Sequence, residues 1–390
     1  MSLKIYKSER LAISLVLSAV GGVGIVVGMS FPLLTFMLER EGFSASLIGL
    51  NSATSSLGIL VVGLYTARVL GRHGAFLPII AATIIGAGSL IALPLVNHPA
   101  GWFILRFSLA LGIGFMWLLS ESWLNMLSND RNRGRIIGLY AVFFSAGFAL
   151  GPLIVTLVGS RGPVPFAVAA ALMVGSTLPM LLLANRGVSA KHQPVRNLGL
   201  LRLAPFVFVV AFAGGLLEAT AYALLPIYTL GEGLSESVSL YALSAFSAGG
   251  IALQYPLGRY ADLAGRQAMM TLSAAGVLVG VIALPFAIGE NTWLMVLLFF
   301  WGGTVFGLYT SSLIMLGDKF RSESLVAANA LFIIFYEIGA LVGPALSGGA
   351  MDLWPRHGFV SFLLATAGLL MVAVVVRNMR RAPPESTSRE

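Results

Sequence analysis

Twelve runs of about 20 mostly apolar residues follow one another along this chain and constrain its fold more than any other feature. A helix needs about 20 apolar residues to cross the hydrocarbon core of a bilayer, and helices and closed barrels are the structures that can cross it. The runs lack the alternation of apolar and polar residues that barrel strands show. They predict an all-α membrane protein with twelve transmembrane helices near residues 11–38, 44–66, 75–96, 101–124, 136–158, 163–184, 205–228, 238–257, 268–288, 292–315, 325–349 and 358–376.

The composition indicates that the chain lies in the membrane along its whole length. Of its 390 residues, 57% are hydrophobic and 10% are charged, whereas soluble domains carry about 25% charged residues. The first run is too long for a cleaved signal peptide, so we expect a retained first helix. The absence of cysteine excludes disulfides and thiolate chemistry. The four histidines lie in predicted loops, and the polar segments are too short for a catalytic domain. We therefore expect no enzyme activity, no metal site and no cofactor.

The lysines and arginines predict how the chain lies in the membrane. Most of the 24 fall on one side if the N-terminus is placed in the cytoplasm, and an excess of basic residues marks cytoplasmic loops. This asymmetry explains the net charge of +8 without a nucleic-acid partner. We expect a multi-pass protein of the bacterial inner membrane with both termini in the cytoplasm.

Two features recur about half a chain apart and predict two pseudo-symmetric six-helix bundles. The stretch GLYTARVLGRHG at the end of the second run resembles GRYADLAGRQ at the end of the eighth, and a G-x-x-x-G-P motif occurs in both the fifth and the eleventh run. The longest polar connection divides the chain into residues 1–184, a cytoplasmic linker at 185–205, and residues 206–390. Transporters built from such repeats bind their substrates between the halves and expose the site by rocking.

The repeated motif consists of Gly147, Gly151 and Pro152 in one half and of Gly339, Gly343 and Pro344 in the other. Small residues four apart let helix backbones approach closely in lipid, and proline bends a helix. We therefore expect helix pivots at the interface between the halves, with tight packing alone as the alternative.

Three charged residues lie well inside predicted spans, away from their ends. Glu218 and Glu337 are each about a dozen residues into their helices, roughly 18 Å from the surface. A charge at that depth must face the bundle interior, pair with another group or bind a proton, and reversible proton binding is what a proton-coupled carrier requires. The alternative is a neutral glutamate bonded to a neighbouring helix, for example to Tyr336. Arg106 either tunes a carboxylate, holds an anionic substrate or extends to the outer interface.

The loop GRYADLAGRQ resembles the signature G-x-x-x-D-R-x-G-R-K of the major facilitator superfamily, although Leu263 replaces its usual arginine and Ala67 replaces the aspartate of the first copy. The stretch LRFSLALGIG, which contains Arg106, resembles the fourth-helix motif of that superfamily, and GFALGPLI resembles its fifth-helix antiporter motif. ESWLNMLSNDRNRGR and NALFIIFYEIGALVGP are most similar to the YcaD-type bacterial members. The resemblance covers the whole chain and implies a secondary transporter with this fold.

The resemblance implies a cavity lined by the first, fourth, seventh and tenth helices, and it implies a gate at the cytoplasmic side. Candidate cavity residues are Asn51, Trp117, Tyr222, Trp301, Thr304 and Tyr309, and candidate gate residues are Arg68, Glu121, Arg133, Arg135, Asp262 and Arg266. By pseudo-symmetry we expect Asp262 to meet the start of the fifth helix near Arg135.

Within the membrane, two acidic residues, Glu218 and Glu337, outnumber the one basic residue, Arg106. Together with the antiporter-like motif, they favour proton-coupled export of small apolar or cationic organic molecules. The proton gradient is the expected energy source, and the expected partners are a small-molecule substrate and the lipid bilayer, with the chain acting as a monomer. Uptake of a small solute such as a sugar or carboxylate, by symport or facilitated diffusion, is the alternative. A membrane sensor or scaffold is the third possibility, and it would require that neither carboxyl group affects any flux.

Overall fold

The computed structural model describes residues 2–128, 132–184 and 199–381, and this part of the chain is almost entirely helical. The N-terminal half contains α1 (Ser2–Arg40), α2 (Ala45–His73), α3 (Phe76–Ala92), α4 (Pro99–Leu127), α5 (Arg133–Val158) and α6 (Val164–Leu181). A short helix α7 (Gly199–Leu203) follows at the end of the predicted linker, whose residues 185–198 lie outside the described part. The C-terminal half contains α8 (Pro205–Gly231), α9 (Glu236–Ala252), α10 (Gln254–Ala264), α11 (Arg266–Ala287), α12 (Asn291–Lys319), α13 (Ser322–Leu353) and α14 (Gly358–Arg381).

Eleven helices in the described residues are long and apolar enough to cross a membrane. The predicted eighth span, 238–257, differs from a single crossing helix because it is divided at Leu253 into α9 and α10. Pro256 lies in the first turn of α10, where its missing amide hydrogen cannot bond to the carbonyl of Ala252. The helix therefore breaks just before the proline, and α9 alone has 17 residues.

Several helices start with a side-chain cap at the face that the basic residues predict to be extracellular. We call this face the predicted outer face. The Ser44 hydroxyl accepts a hydrogen bond from Leu47 N at the start of α2, and the Ser235 hydroxyl accepts one from Val238 N at the start of α9. The Glu290 carboxylate accepts hydrogen bonds from the amides of Thr292 and Trp293 at 3.0 and 2.9 Å, and these bonds lower the pKa of Glu290. Each cap satisfies amides that the first turn of a helix leaves free.

The helices pack in the same way within each half. In the N-terminal half α1 packs against α5, and α4 packs against α2 and α3. In the C-terminal half α8 packs against α13, and α12 packs against α9 and α11. The halves meet mainly along α2 with α13 and along α5 with α9, with a smaller contact between α1 and α8. Charged or polar side chains near these helix pairs therefore lie between the two halves.

The two G-x-x-x-G-P motifs lie elsewhere than expected. Gly147 and Gly151 pack against the backbone of α1, and Gly339 and Gly343 pack against α8. These contacts join helices within each half, so the prediction that the glycines lie at the interface between halves is corrected. The reason is that each motif presents its glycines on one helix face, and that face seats the neighbouring helix of the same bundle.

The α13 copy also contacts the other half through a different face. The carbonyl oxygen of Pro344 lies where a Cβ on Gly49 of α2 would stand, and Ala45 of α2 lies against Gly348 in the same way. Gly49 and Gly348 therefore allow α2 and α13 to approach backbone to backbone near the predicted outer face. Pro152 in the α5 copy has no such glycine contact among the described residues.

Candidate functional site

The structure brings together acidic and tyrosine side chains from five helices in a central cluster, which consists of Glu121, Tyr140, Glu218, Tyr309, Tyr336 and Glu337. Tyr336 donates a hydrogen bond from its hydroxyl to Glu218 Oε2, so a side chain of α13 is bonded to one of α8. The rings of Tyr309 and Tyr336 lie edge to face with centroids 5.4 Å apart. Tyr309 is close enough to interact electrostatically with all three glutamates of the cluster.

Glu337 and Glu218 have different surroundings although they interact electrostatically with each other. Glu337 is buried, at 7% exposure, and the Ser56 hydroxyl of α2 lies close to its carboxyl group. Glu218 is partly exposed despite its position in the middle of α8. Among the described residues, neither carboxylate forms an ion pair with a lysine or arginine. Glu337 thus neighbours a side chain of the other half, whereas Glu218 bonds within its own half.

Arg106 is buried at 3% exposure and does not extend to the membrane surface. Its Nε donates to Ser55 Oγ at 2.6 Å and its Nη1 donates to the Ser30 carbonyl oxygen at 3.3 Å. Its guanidinium carbon lies 4.8 Å from the centroid of the Phe31 ring, an arrangement in which the ring face attracts the cation. No carboxylate pairs with Arg106 in the described part of the chain.

The six candidate cavity residues lie in different surroundings. Tyr309 belongs to the central cluster, and Trp117 stacks on Phe144 at 5.5 Å with partial exposure. Tyr222 is buried between the halves, where its ring contacts Phe31 and Phe148 and its hydroxyl bonds to Ser247 Oγ at 3.0 Å. Asn51 is buried in α2, and its amide nitrogen lacks a hydrogen-bond partner in the described structure.

Trp301 and Thr304 pack inside the C-terminal half instead of facing the other half. Trp301 lies against Gly280 of α11 and contacts the Phe246 ring of α9 edge to face, and Thr304 lies against Gly276 of α11. The prediction treated the whole of the tenth predicted helix as cavity-lining. Trp301 and Thr304 lie on the face of α12 that packs against α11, because the glycines of α11 leave room for both side chains.

The candidate gate residues at the opposite face, here called the predicted inner face, do not form the expected network. Arg266 Nε pairs with Asp318 Oδ2 at 2.5 Å within the C-terminal half. Asp262 is exposed and makes no hydrogen bond or ion pair with any described residue, Arg135 included. Arg135 is also exposed, and Arg68 lies over the Tyr65 ring at 5.7 Å. The side chain of Arg133 lies outside the described part of the structure, and Glu121 pairs with no described arginine.

A second set of charges joins the halves at the predicted outer face, and we call it the outer clasp. Glu236 Oε2 of α9 pairs with Arg40 Nη2 at 2.5 Å, accepts a hydrogen bond from the Ser160 hydroxyl, and lies 3.7 Å from Arg161. Partial burial opposes ionisation of Glu236, but the hydrogen bonds from Arg40 and Ser160 and the charges of Arg40 and Arg161 outweigh it. The pKa of Glu236 is therefore lowered from its ordinary value.

Asp352 completes the outer clasp at the start of α2. Its Oδ1 accepts a hydrogen bond from Ala45 N at 2.8 Å, and its Oδ2 accepts one from Ser46 N at 3.1 Å. The carboxylate of α13 thus satisfies two free amides at the positive end of a helix in the other half. Sequence reasoning missed Glu236 and Asp352, because each lies in a predicted polar loop and bonds to a group more than 190 residues distant in the chain.

Sequence reasoning also missed Tyr140, Ser55 and Ser56, which are common residue types inside transmembrane helices. Their positions on the helix faces that meet other elements were not readable from the sequence. In the described residues, no three His, Asp or Glu side chains come together as metal ligands would.

Comparison with known proteins agrees with this architecture. The family model of the Major Facilitator Superfamily matches residues 16–319 and 207–390. The uncharacterized MFS-type transporter YfkF of Bacillus subtilis (strain 168) is 26% identical over 382 residues, which cover 93% of this chain and 95% of the relative. The uncharacterized MFS-type transporter YcaD of Escherichia fergusonii is 26% identical over 371 residues, which cover 94% of this chain and 96% of the relative.

Two solved structures share the fold. The nucleoside transporter NupG superposes with a TM-score of 0.77 at 15% identity, covering 96% of this chain and 99% of NupG. A bacterial homologue of the human lysosomal transporter Spinster superposes with a TM-score of 0.75 at 13% identity, covering 96% of each chain. The expected fold of two related six-helix bundles is therefore confirmed. This multi-pass membrane protein belongs to the major facilitator superfamily of secondary transporters.

Proposed function

We propose that this transporter exports small apolar or cationic organic molecules in exchange for protons, by alternating access. The observation that carries the proposal is the proximity of Glu218 and Glu337 in mid-membrane, each beside a hydroxyl group and neither with a basic partner among the described residues. A carboxyl group in such a setting is readily accommodated when neutral and is costly when ionised. The protonated and ionised forms of these carboxyl groups therefore differ greatly in energy.

Glu337 connects proton binding with movement of the halves. It lies on α13, and its neighbour Ser56 lies on α2 of the other half, so rocking of the halves would separate the two groups. A group whose surroundings differ between two conformations favours one of them according to its protonation state. The proton gradient thereby serves as the energy source without a cofactor.

The side chains near the carboxyl groups favour an apolar or cationic substrate. The rings of Trp117, Phe144 and Tyr309 are partly exposed inside the membrane region, and aromatic faces attract both apolar groups and cations. Two glutamates add negative charge when they release their protons. In this proposal the protein acts as a monomer in the bacterial inner membrane with both termini in the cytoplasm.

Flux measurements in proteoliposomes test the proposal, with ethidium as the cationic probe and an imposed pH gradient. We expect Glu218→Gln to abolish gradient-driven ethidium transport and to retain part of the exchange at equal pH, because the amide keeps the shape but does not titrate. Glu41→Gln, which alters an exposed loop carboxylate, is the matched control and should behave as the unmodified protein. An unchanged pH profile in both Glu218→Gln and Glu337→Gln would exclude these carboxyl groups as the coupling site.

A measurement that needs no substrate distinguishes a role of the two glutamates in proton coupling from a role in substrate binding. Infrared difference spectra of the reconstituted protein, recorded during a pH titration, report the carbonyl band of protonated carboxyl groups. We expect Glu218→Gln and Glu337→Gln each to remove part of a band that persists above the pH at which exposed carboxyl groups ionise. Loss of ethidium transport with no change in that band would leave the two glutamates with a role in substrate binding alone.

Uptake of a small carboxylate or sugar is a second candidate, and Arg106 is the observation that favours it. A buried guanidinium with no carboxylate partner among the described residues can accept an anionic group from a substrate, and Arg binds carboxylates through two parallel hydrogen bonds. Under this candidate Arg106→Lys should sharply raise the apparent KM for a carboxylate, because lysine is a point charge. Under the export proposal the same variant should mainly shift the pH optimum.

A further inference from the structure

An excess of hydrogen-bond donors lies around Arg106, where α2 and α4 pack together. Trp102 and Arg106 are four residues apart on α4, and Asn51 and Ser55 are four residues apart on α2. Residues at this spacing share one face of a helix. Because Arg106 Nε donates a hydrogen bond to Ser55 Oγ at 2.6 Å, the face of α4 that carries Trp102 meets the face of α2 that carries Asn51.

The two helices run in parallel here, as a second contact between them shows. A Cβ on Gly58 of α2 would lie 2.7 Å from the Cβ of Ala110 on α4, and this contact is about one helical turn deeper than the bond that Arg106 makes. One turn in the opposite direction, Asn51 therefore lies at the level of Trp102. The polar groups of these two side chains and the guanidinium belong to one site.

Three side chains of this site present donors that lack an acceptor among the described residues. Asn51 and Trp102 are 1% and 3% exposed, and neither the Asn51 Nδ2 amide nor the Trp102 Nε1 group makes a hydrogen bond there. The Arg106 guanidinium makes one bond through Nε and one through Nη1, which leaves Nη2 without an acceptor. Ser55 accepts a bond from Arg106 and can still donate its own hydrogen.

The site also contains a positive charge without a counter-ion. Arginine stays charged in proteins, and no carboxylate pairs with Arg106 in the part of the chain that the structure describes. A lone charge inside a membrane is costly, and each buried donor without an acceptor adds to that cost. Water satisfies donors without neutralising the guanidinium, whereas one anion does both.

We propose that Arg106, Asn51, Trp102 and Ser55 bind a chloride ion between α2 and α4. A monatomic anion accepts hydrogen bonds from several directions and needs little space, which suits donors on adjacent turns of two closely packed helices. The carboxylate of a substrate shares this acceptor chemistry but brings further atoms that the close approach at Gly58 leaves little room for. The site lies in the N-terminal half and does not depend on proton exchange by the glutamates of the central cluster.

Binding of radiolabelled chloride to the purified full chain, measured by scintillation proximity, tests this assignment. Gluconate replaces chloride to keep the ionic strength constant. We expect saturable binding of one ion per chain, displaced by bromide but not by gluconate. Arg106→Gln should abolish the binding. Trp102→Phe keeps an aromatic ring and removes one donor, so it should weaken binding about tenfold, as expected for one hydrogen bond to a charged group.

Trp123→Phe is the matched control because it removes the same group from the same helix. The Trp123 Nε1 is also buried and without a partner in the described structure, but it lies about 25 Å from Arg106 along the axis of α4. We expect its chloride affinity to equal that of the unmodified protein. Absence of saturable chloride binding, or equal weakening by Trp102→Phe and Trp123→Phe, would overturn the proposal.

Asn51→Asp tests whether the ion acts as the counter-ion of Arg106. The new carboxylate would take the place of chloride, so this variant should lose chloride binding. Chloride should raise the unfolding temperature of the unmodified protein, because a ligand of the folded state stabilises it, and that dependence should disappear in Asn51→Asp. A variant that still binds chloride with unchanged affinity would contradict this role. Displacement of chloride by equimolar acetate would overturn the halide assignment and identify a carboxylate site, as the uptake candidate requires.

Discussion

The two faces of this protein hold their helices in different ways. At the predicted outer face, Glu236 and Asp352 of the C-terminal half bond to groups of the N-terminal half. At the predicted inner face, Arg266 and Lys319 bond within the C-terminal half, and Asp262 is exposed. The contacts that join the halves through described residues therefore lie at the outer face and in mid-membrane, which is the arrangement of an outward-closed conformation.

Asp352 and Asp262 illustrate this difference between the two faces. Asp352 caps the start of a helix in the opposite half, which is the role that pseudo-symmetry predicted for Asp262 at the other face. A transporter that alternates between two conformations exchanges one set of contacts for another. Asp262, which pairs with no described residue in the outward-closed conformation, is thus a candidate to form a contact in the conformation in which the inner face closes.

Four predictions test this comparison, and spin-label distances measure each one. The chain contains no cysteine, so Asn97→Cys with Gly289→Cys can report the outer separation. His73→Cys with Gly317→Cys can report the inner separation. All four positions are exposed.

The largest effect is expected from Gly49→Ala. The new methyl group would overlap the Pro344 carbonyl oxygen, a backbone atom that cannot rotate away. Overpacking costs about 1–3 kcal/mol, and the upper end corresponds to roughly a hundredfold loss of the outward-closed population. Gly63→Ala on the same helix has open space at its Cβ and is the control. Equal distance distributions in the two variants would show that the contact between α2 and α13 does not hold the outer face closed.

Asp352→Ala should have the next largest effect. It removes two charge-assisted hydrogen bonds from the start of α2, and loss of a helix N-cap costs about 1.5 kcal/mol. We expect the outward-closed population to fall about tenfold relative to the open one. Glu41→Gln, at an exposed position of the same face, should leave the outer distance unchanged. A shorter outer distance in Asp352→Ala would contradict the capping role.

Asp262→Asn should act with the opposite sign. Because Asp262 has no partner among the described residues, we expect its substitution not to weaken the outward-closed conformation but to remove a latch from the conformation in which the inner face closes. A cap of this type contributes about 1 kcal/mol, so the inner-closed population should fall roughly fivefold and turnover should slow. Ala67→Asp, which restores the aspartate of the first copy, should raise that population. A shift in the same direction for both variants would refute the latch.

The smallest effect concerns Glu236 and pH. Its pKa is lowered in the outward-closed conformation from the ordinary value of 4.5. The carboxylate therefore stabilises that conformation above about pH 4.5, and the contribution is lost as the external pH falls through the lowered pKa. Partly exposed ion pairs contribute at most about 1 kcal/mol. In Glu236→Gln the outer distance should become independent of pH in this range, and persistence of the same titration would assign it to another group.

Much of the fold followed from the sequence, whereas the partners at the site did not. The hydropathy runs located the membrane helices because each crossing segment must bury its own backbone polar groups. The sequence also indicated Glu218, Glu337 and Arg106, because a charge in an apolar run is costly and therefore conspicuous. Tyr336 was considered as a partner for a glutamate of a neighbouring helix, and it bonds to Glu218 of α8. Adjacent residues on a helix project in different directions, so Tyr336 faces α8 while Glu337 faces Ser56.

By itself the sequence determined that this chain crosses a membrane many times, in two related halves, with acids placed at mid-depth. Those properties depend on residue types along one helix and on the surrounding lipid. The tertiary structure alone decided that the glycines of both repeated motifs pack within the halves, that Trp301 is part of a packed interior, and that Glu236 and Asp352 close the outer face. Each of these depends on which helix faces meet, and contacts between helices that are far apart in the chain leave no periodic trace in one sequence.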